Sequence, residues 1–109
     1  MFEFKTPVGI IRSLDNVGRC SIPKEWRRLI NLNTKDTIEI QLNREDKCLY
    51  IRRINGEQSS GGIIRHVDNL GRFVIPKNWV DQLNLGENNP IEIQMDFCGT
   101  IMIRKFLIR

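Results

Sequence analysis

Apolar and polar residues alternate along Thr37-Ile38-Glu39-Ile40-Gln41-Leu42 and again along Pro90-Ile91-Glu92-Ile93-Gln94-Met95. A period of two sends successive side chains to opposite faces, so each stretch predicts a half-buried strand. Residues 9–14 are apolar and β-branched enough for an earlier strand, and residues 19–22 for a second. Between these, Asp15-Asn16-Val17-Gly18 reads as a turn, since Asx side chains cap their own backbone and glycine accepts positive φ. Pro23 ends the ladder because it has no N–H to donate, yet its fixed φ suits the start of a helix. From Lys24 to about residue 31, Trp26, Leu29 and Ile30 recur at i, i+3, i+4, the spacing of one buried helical face. Residues 48–52 and 100–105 predict closing strands after hairpin turns at 43–47 and 96–99.

These elements occur twice. Gly9-Ile10-Ile11-Arg12-x-x-Asp15-Asn16-x-Gly18-Arg19-x-x-Ile22-Pro23-Lys24-x-Trp26 returns as Gly62-Ile63-Ile64-Arg65-x-x-Asp68-Asn69-x-Gly71-Arg72-x-x-Ile75-Pro76-Lys77-x-Trp79, at an offset of 53 (62 minus 9). Near the end, Ile51-Arg52 matches Ile103-Arg104 at an offset of 52 (103 minus 51). A single lost residue marks a surface turn, because within a strand it would flip every later side chain. Two copies are too few for a solenoid. At roughly fifty residues, each copy stands near the lower limit for folding alone, which favours one shared core.

The expected architecture is mainly β. A single pseudo-two-fold barrel spans residues 1–109, from ββαββ repeats at 8–54 and 62–106 joined by a polar, glycine-rich linker at 55–61. Eight strands with two short helices can close, and closure removes exposed edges. Trp79 and Leu83 are expected on the buried face of the second helix, as Trp26 is on the first.

No apolar run approaches the ~18 residues of a membrane span, and the N-terminus lacks the layout of a signal peptide, so no membrane association and a cytoplasmic location are expected. Cys20, Cys48 and Cys98 form no C-x-x-C pair, and His66 is the sole histidine, so no metal site or cofactor is expected. No nucleophile–base set or Walker loop appears, which argues against an enzyme with catalytic residues. Net charge is +4. Residues 1–56 hold 11 Lys/Arg against 7 Asp/Glu and residues 57–109 hold 6 of each, so the excess lies in the first copy.

The pattern G-I-I-R-x-x-D-x-x-G-R-x-x-I-P-K-x-W, followed by an alternating I-E-I strand, closely resembles the SpoVT/AbrB-type swapped-hairpin domain over residues 8–54 and 61–106. The resemblance implies a unit that normally dimerises with interleaved hairpins, here fused in one chain. It also implies DNA binding through arginines of the first strand, of the turn after glycine, and of a helical pair. These positions are Arg12, Arg19, Arg27 and Arg28 in the first copy, but only Arg65 and Arg72 in the second, where Val80 and Asp81 replace the pair. Lys24 and Lys77 join them from the residues alone: a cation in the first helical turn opposes the helix dipole and becomes sensible if an anion docks there.

The expected function is a sequence-tolerant, nucleoid-associated regulator of transcription binding double-stranded DNA mainly through the first repeat. Its rivals are an antitoxin-like component of a toxin–antitoxin pair and a protein-interaction module, with a second copy or another protein as partner through the second repeat. The tryptophans read as core, and Asp15 and Asp68 as turn-forming carboxylates paired with a neighbouring arginine.

Overall fold

The alternating stretches form the long strands of a computed structural model that describes residues 9–54, 61–86 and 88–106. In chain order the elements are β1 (Ile10–Arg12), β2 (Arg19–Ser21), α1 (Lys24–Leu29), β3 (Thr37–Asn43), β4 (Cys48–Arg53), β5 (Ile63–His66), β6 (Arg72–Val74), α2 (Lys77–Leu83), β7 (Ile91–Met95) and β8 (Ile101–Lys105). Apart from Gly61, the expected linker lies outside the described residues, as do the residues read for a signal peptide.

A six-stranded antiparallel sheet runs β1-β7-β8-β4-β3-β5, and β2 pairs with β6 in a separate two-stranded ribbon. Among the described residues only the β3–β4 and β7–β8 hairpins pair within one copy. The pairs β1–β7, β3–β5, β4–β8 and β2–β6 all join one copy to the other. The pseudo-two-fold axis passes between Tyr50 and Met102, equivalent residues that face each other across β4 and β8. β1 and β5 are the two ends of this sheet order, and each leads through a turn into one strand of the β2–β6 ribbon. The junction is fastened by reciprocal backbone bonds, Ile22 N–H to the Gly71 carbonyl (2.9 Å) and Ile75 N–H to the Gly18 carbonyl (3.0 Å).

The sheet contributes Ile38, Ile40, Leu49, Ile51, Ile91, Ile93, Ile101 and Ile103 to the core, which the ribbon covers with Cys20 and Phe73 and the helices with Trp26 and Val80. Leu29 departs from its expected buried face and is 61% exposed. The helix ends there after six residues, and Ile30 packs on the core instead, against Gly99. In α2 the buried residue is Val80, while Trp79 and Leu83 sit at the core's edge.

The larger departure is Glu39. Alternation places it on the wet face, yet it is fully buried. Its Oε1 accepts from Arg52 Nη2 (2.7 Å) and Nε (3.1 Å), and its Oε2 accepts the Gly62 N–H (3.0 Å). Burial of a charge is tolerable only with such pairing. Glu92 repeats the arrangement with Arg104 Nη2 (2.8 Å) and Nε (2.9 Å). Both copies therefore carry glycine opposite the carboxylate: a Cβ on Gly62 would lie 2.7 Å from Glu39 Cγ, and one on Gly9 would collide with Glu92 Cγ.

Candidate nucleic-acid interface

The ribbon has one dry face and one wet face. Cys20 and Phe73 point into the core, so alternation turns Arg19 and Ser21 of β2 and Arg72 and Val74 of β6 outward. Register sets Arg19 opposite Val74 and Ser21 opposite Arg72, so the two arginines lie diagonally across the outer face.

Both arginines are held by the turn before them. Asp15 Oδ1 accepts the N–H groups of Val17 (3.1 Å) and Arg19 (2.8 Å), and Oδ2 accepts Arg19 Nε (2.5 Å). Asp68 does the same for Leu70 (2.9 Å), Arg72 N–H (2.8 Å) and Arg72 Nε (2.7 Å). Gly18 (φ +80°) and Gly71 (φ +75°) take the left-handed conformation that returns the chain. The arginine's backbone N–H, aided by its guanidinium, holds each carboxyl below its ordinary range. The carboxylate engages the Nε edge, leaving the Nη donors out of the pair.

Arg12 and Arg65 flank the ribbon from the edge strands. Arg65 donates from Nε to the Val74 carbonyl (3.2 Å) and from Nη1 to the Ile64 carbonyl (3.1 Å), which sets it at the Arg19 end. Arg12 donates to the Ile11 carbonyl (3.1 Å), and its charge acts on Cys20 of β2; the pseudo-two-fold relation sets it at the Arg72 end. Neither forms an ion pair among the described residues.

The helices break the symmetry. Lys24 and Arg28 are exposed on α1 and make no ion pair among the described residues, whereas Lys77 faces Asp81 (3.6 Å) on α2. Arg27 is half-buried: its Nε donates to the Ile22 carbonyl (3.1 Å), and its side chain lies over Gly71, where a Cβ would come within 2.5 Å of Nε. Arg27 is thus part of the scaffold that seats the second copy's turn. Val80, its counterpart, is buried, and Gly18 meets no side chain within 4 Å.

Interleaving regroups the residues. Arg27 covers Gly71 and Ser21 Oγ donates to the Leu70 carbonyl (3.2 Å), so α1, which carries Lys24, Arg27 and Arg28, starts from the Arg72 end with Arg12 beside it. The pseudo-two-fold relation puts α2 with Lys77, and Arg65, at the Arg19 end. Arg72 therefore does not belong to a second-copy flank, as chain order implies, but to the richer end. Sequence reasoning also missed the exposed apolar residues Val17, Leu70 and Val74 on this surface, because turn and strand signals do not report which side chains stay wet.

Among the described residues no group of three His, Cys, Asp or Glu side chains could hold a metal ion, and no helix is long and apolar enough to cross a membrane.

A family described as antidote-toxin recognition MazE, bacterial antitoxin, matches residues 11–59 and again residues 64–105. The chain belongs to this MazE family. It carries the domain twice. Transition state regulatory protein AbrB of Bacillus subtilis is 32% identical over 84 residues, covering 73% of this chain and 86% of the relative. Stage V sporulation protein T of the same organism is 42% identical over 45 residues, 41% of this chain; the match spans only 25% of that longer relative. The solution structure of PHS018 from Pyrococcus horikoshii superposes with a TM-score of 0.53 at 19% identity, covering 94% of this chain and 95% of that one, which establishes a shared fold. By their descriptions the family comprises bacterial antitoxins and AbrB is a transition state regulatory protein.

Proposed function

We propose that this protein is a regulator of transcription that binds double-stranded DNA across the outer face of the β2–β6 ribbon. The observation that carries the reading is the ribbon itself: Arg19 and Arg72 stand on its outer face, and Arg12 and Arg65 flank it from β1 and β5. Guanidinium suits phosphate through its rigid fork and weak hydration. Asp15 and Asp68 fix two of these forks in advance, which lowers the ordering cost of binding. Lys24 and Arg28 extend the surface only at the Arg72 end, so the grip is stronger there. Phosphate contacts position a protein without reading sequence, which favours tolerance of many sites. The name of the relative AbrB, a transition state regulatory protein, supports a regulatory role.

The test is equilibrium binding to a mixed-sequence duplex across a salt series. Neutralising about four to six phosphates gives a slope of roughly −4 to −5 in log affinity against log salt. Arg72→Ala should weaken binding about as much as Arg28→Ala, roughly tenfold for one charge-assisted contact, and more than Arg19→Ala or Lys77→Ala. A slope near zero refutes the reading. Equal losses at both ribbon ends refute its polarity.

A second reading rests on the family's description as toxin-recognising antitoxins. Rescue of growth by this chain in cells making the product of an adjacent toxic gene would favour it, and the lack of any such neighbouring gene would sink it.

A further inference from the structure

Three of the large apolar residues left in water stand on the arginine-bearing surface: Val17 (58% exposed), Leu70 (55%) and Val74 (43%). Single exposed apolar residues are ordinary, but a cluster among cations is not what a purely phosphate-binding face requires. Val17 and Leu70 occupy equivalent turn tips, in Asp-Asn-Val-Gly and Asp-Asn-Leu-Gly, where every other residue is polar or glycine. Neither tip contributes to the core. Both are rigidly set, because the aspartate Oδ1 holds the N–H of the tip residue and of the arginine two positions on.

Resting on the DNA-binding reading, we infer that Val17 and Leu70 read thymine methyl groups in the major groove. A two-stranded ribbon fits the major groove, about 12 Å wide, and not the minor groove, about 6 Å wide. Of the base edges exposed in the major groove, only thymine offers an apolar group, its C5-methyl. Arginines beside the tips hold the flanking phosphates and bring the tips to the base edges. The tips stand at opposite ends of the ribbon, Val17 before Arg19 and Leu70 before Arg72, so they contact separate base pairs. Leu70 is the stronger reader, since its end holds Arg28 where the Val17 end has Asp81 facing Lys77.

The test compares an alternating dA-dT duplex with the matching dA-dU duplex, which lacks the methyl groups, by fluorescence anisotropy at fixed salt. Each methyl group buried is worth about three- to fourfold in affinity, so the unmodified protein should prefer the thymine duplex by roughly tenfold. Val17→Ser with Leu70→Ser should abolish the preference while keeping the melting temperature and the salt slope. Leu70→Ser alone should remove more of it than Val17→Ser alone. Equal binding of the two duplexes by the unmodified protein, or a preference that survives the double substitution, overturns the inference while leaving DNA binding intact. No binding to either duplex at low salt overturns both.

Discussion

Two glycines in equivalent turns allow the Arg27 contact to be weighed directly. Gly18→Ala and Gly71→Ala both place a side chain at positive φ, +80° and +75°. That backbone conformation costs roughly 1–2 kcal/mol for a residue with a Cβ. At Gly18 nothing else is touched, since the nearest atom is the Ile75 carbonyl oxygen at 3.8 Å. At Gly71 the new methyl would lie 2.5 Å from Arg27 Nε and 2.8 Å from Cδ and Cζ, so the guanidinium has to move off. It then loses its bond to the Ile22 carbonyl, and a hydrogen bond from a charged donor is worth about 1.5–3 kcal/mol. Gly71→Ala should therefore cost about 3–4 kcal/mol where Gly18→Ala costs about 1–2. Urea unfolding of both variants, alone and with Arg27→Ala, makes a double-mutant cycle. In the Arg27→Ala background Gly71→Ala should cost only the backbone amount, giving a coupling of about 1.5–2 kcal/mol. Equal costs at the two glycines, or additivity of Gly71→Ala with Arg27→Ala, would show that Arg27 merely passes over the turn.

Glu39→Ala should destabilise by about 1–3 kcal/mol, because it leaves the Gly62 amide without its acceptor, and Glu92→Ala by less, since that carboxylate is 15% exposed; denaturant midpoints decide the order. Residues 1–56 expressed alone leave β1, β2, β3 and β4 without their cross-copy partners; the fragment should be unfolded or should dimerise, and a folded monomer by sedimentation would contradict the shared core. In a native thiol assay Cys98 alone should react quickly, because it is exposed while burial pushes the Cys20 thiol up to about 12 and also raises Cys48; rapid labelling of all three would be inconsistent with this. Asp15 and Asp68 have lowered folded values, so the stability they add is fully present above the ordinary 3.8 and is lost as pH falls through the lowered values. Asp15→Asn with Asp68→Asn should therefore flatten the acid limb of the stability profile, and an unchanged limb would count against the assignment.

The sequence made the strands, the turns and the duplication legible because each leaves a local mark: alternation in the β3 and β7 segments, Asx-x-Gly in the turns, and the constant offset. Six of the eight basic candidates stand at repeated positions, Arg12 with Arg65, Arg19 with Arg72 and Lys24 with Lys77, while Arg27 and Arg28 have no counterpart in the second copy. What could not be read was partnership. Glu39 looks solvent-facing by period, and only the packing of Gly62 beside it reveals a buried carboxylate. Arg27 looks like its neighbour Arg28, yet one seats a turn from the other copy and the other is exposed. Leu29 keeps helical spacing in a helix that stops too early to use it. Each of these depends on which strand lies beside which, and strand pairing across copies has no signature in a linear pattern.

That same interleaving explains what fusion into one chain permits. A homodimer must carry every substitution twice, on both ends of its ribbon. In a tandem chain the end that holds Arg72 also holds α1, and the end that holds Arg19 also holds α2. On the proposed DNA-binding reading, Val80 and Asp81 in place of an arginine pair thus weaken one end only. The exchange also leaves the second turn seated, because the residue that covers Gly71 comes from α1 and not from α2. Val80→Arg with Asp81→Arg should then raise DNA affinity and make the two ends more alike, releasing Lys77 from its carboxylate. It should also cost stability, since Val80 is buried in the core and an arginine there must displace packing. Affinity rising while stability falls is the expected outcome, measured by salt-dependent binding and urea unfolding of the same preparation. Unchanged affinity would mean that α2 lies off the DNA path and that the ribbon's polarity has another origin.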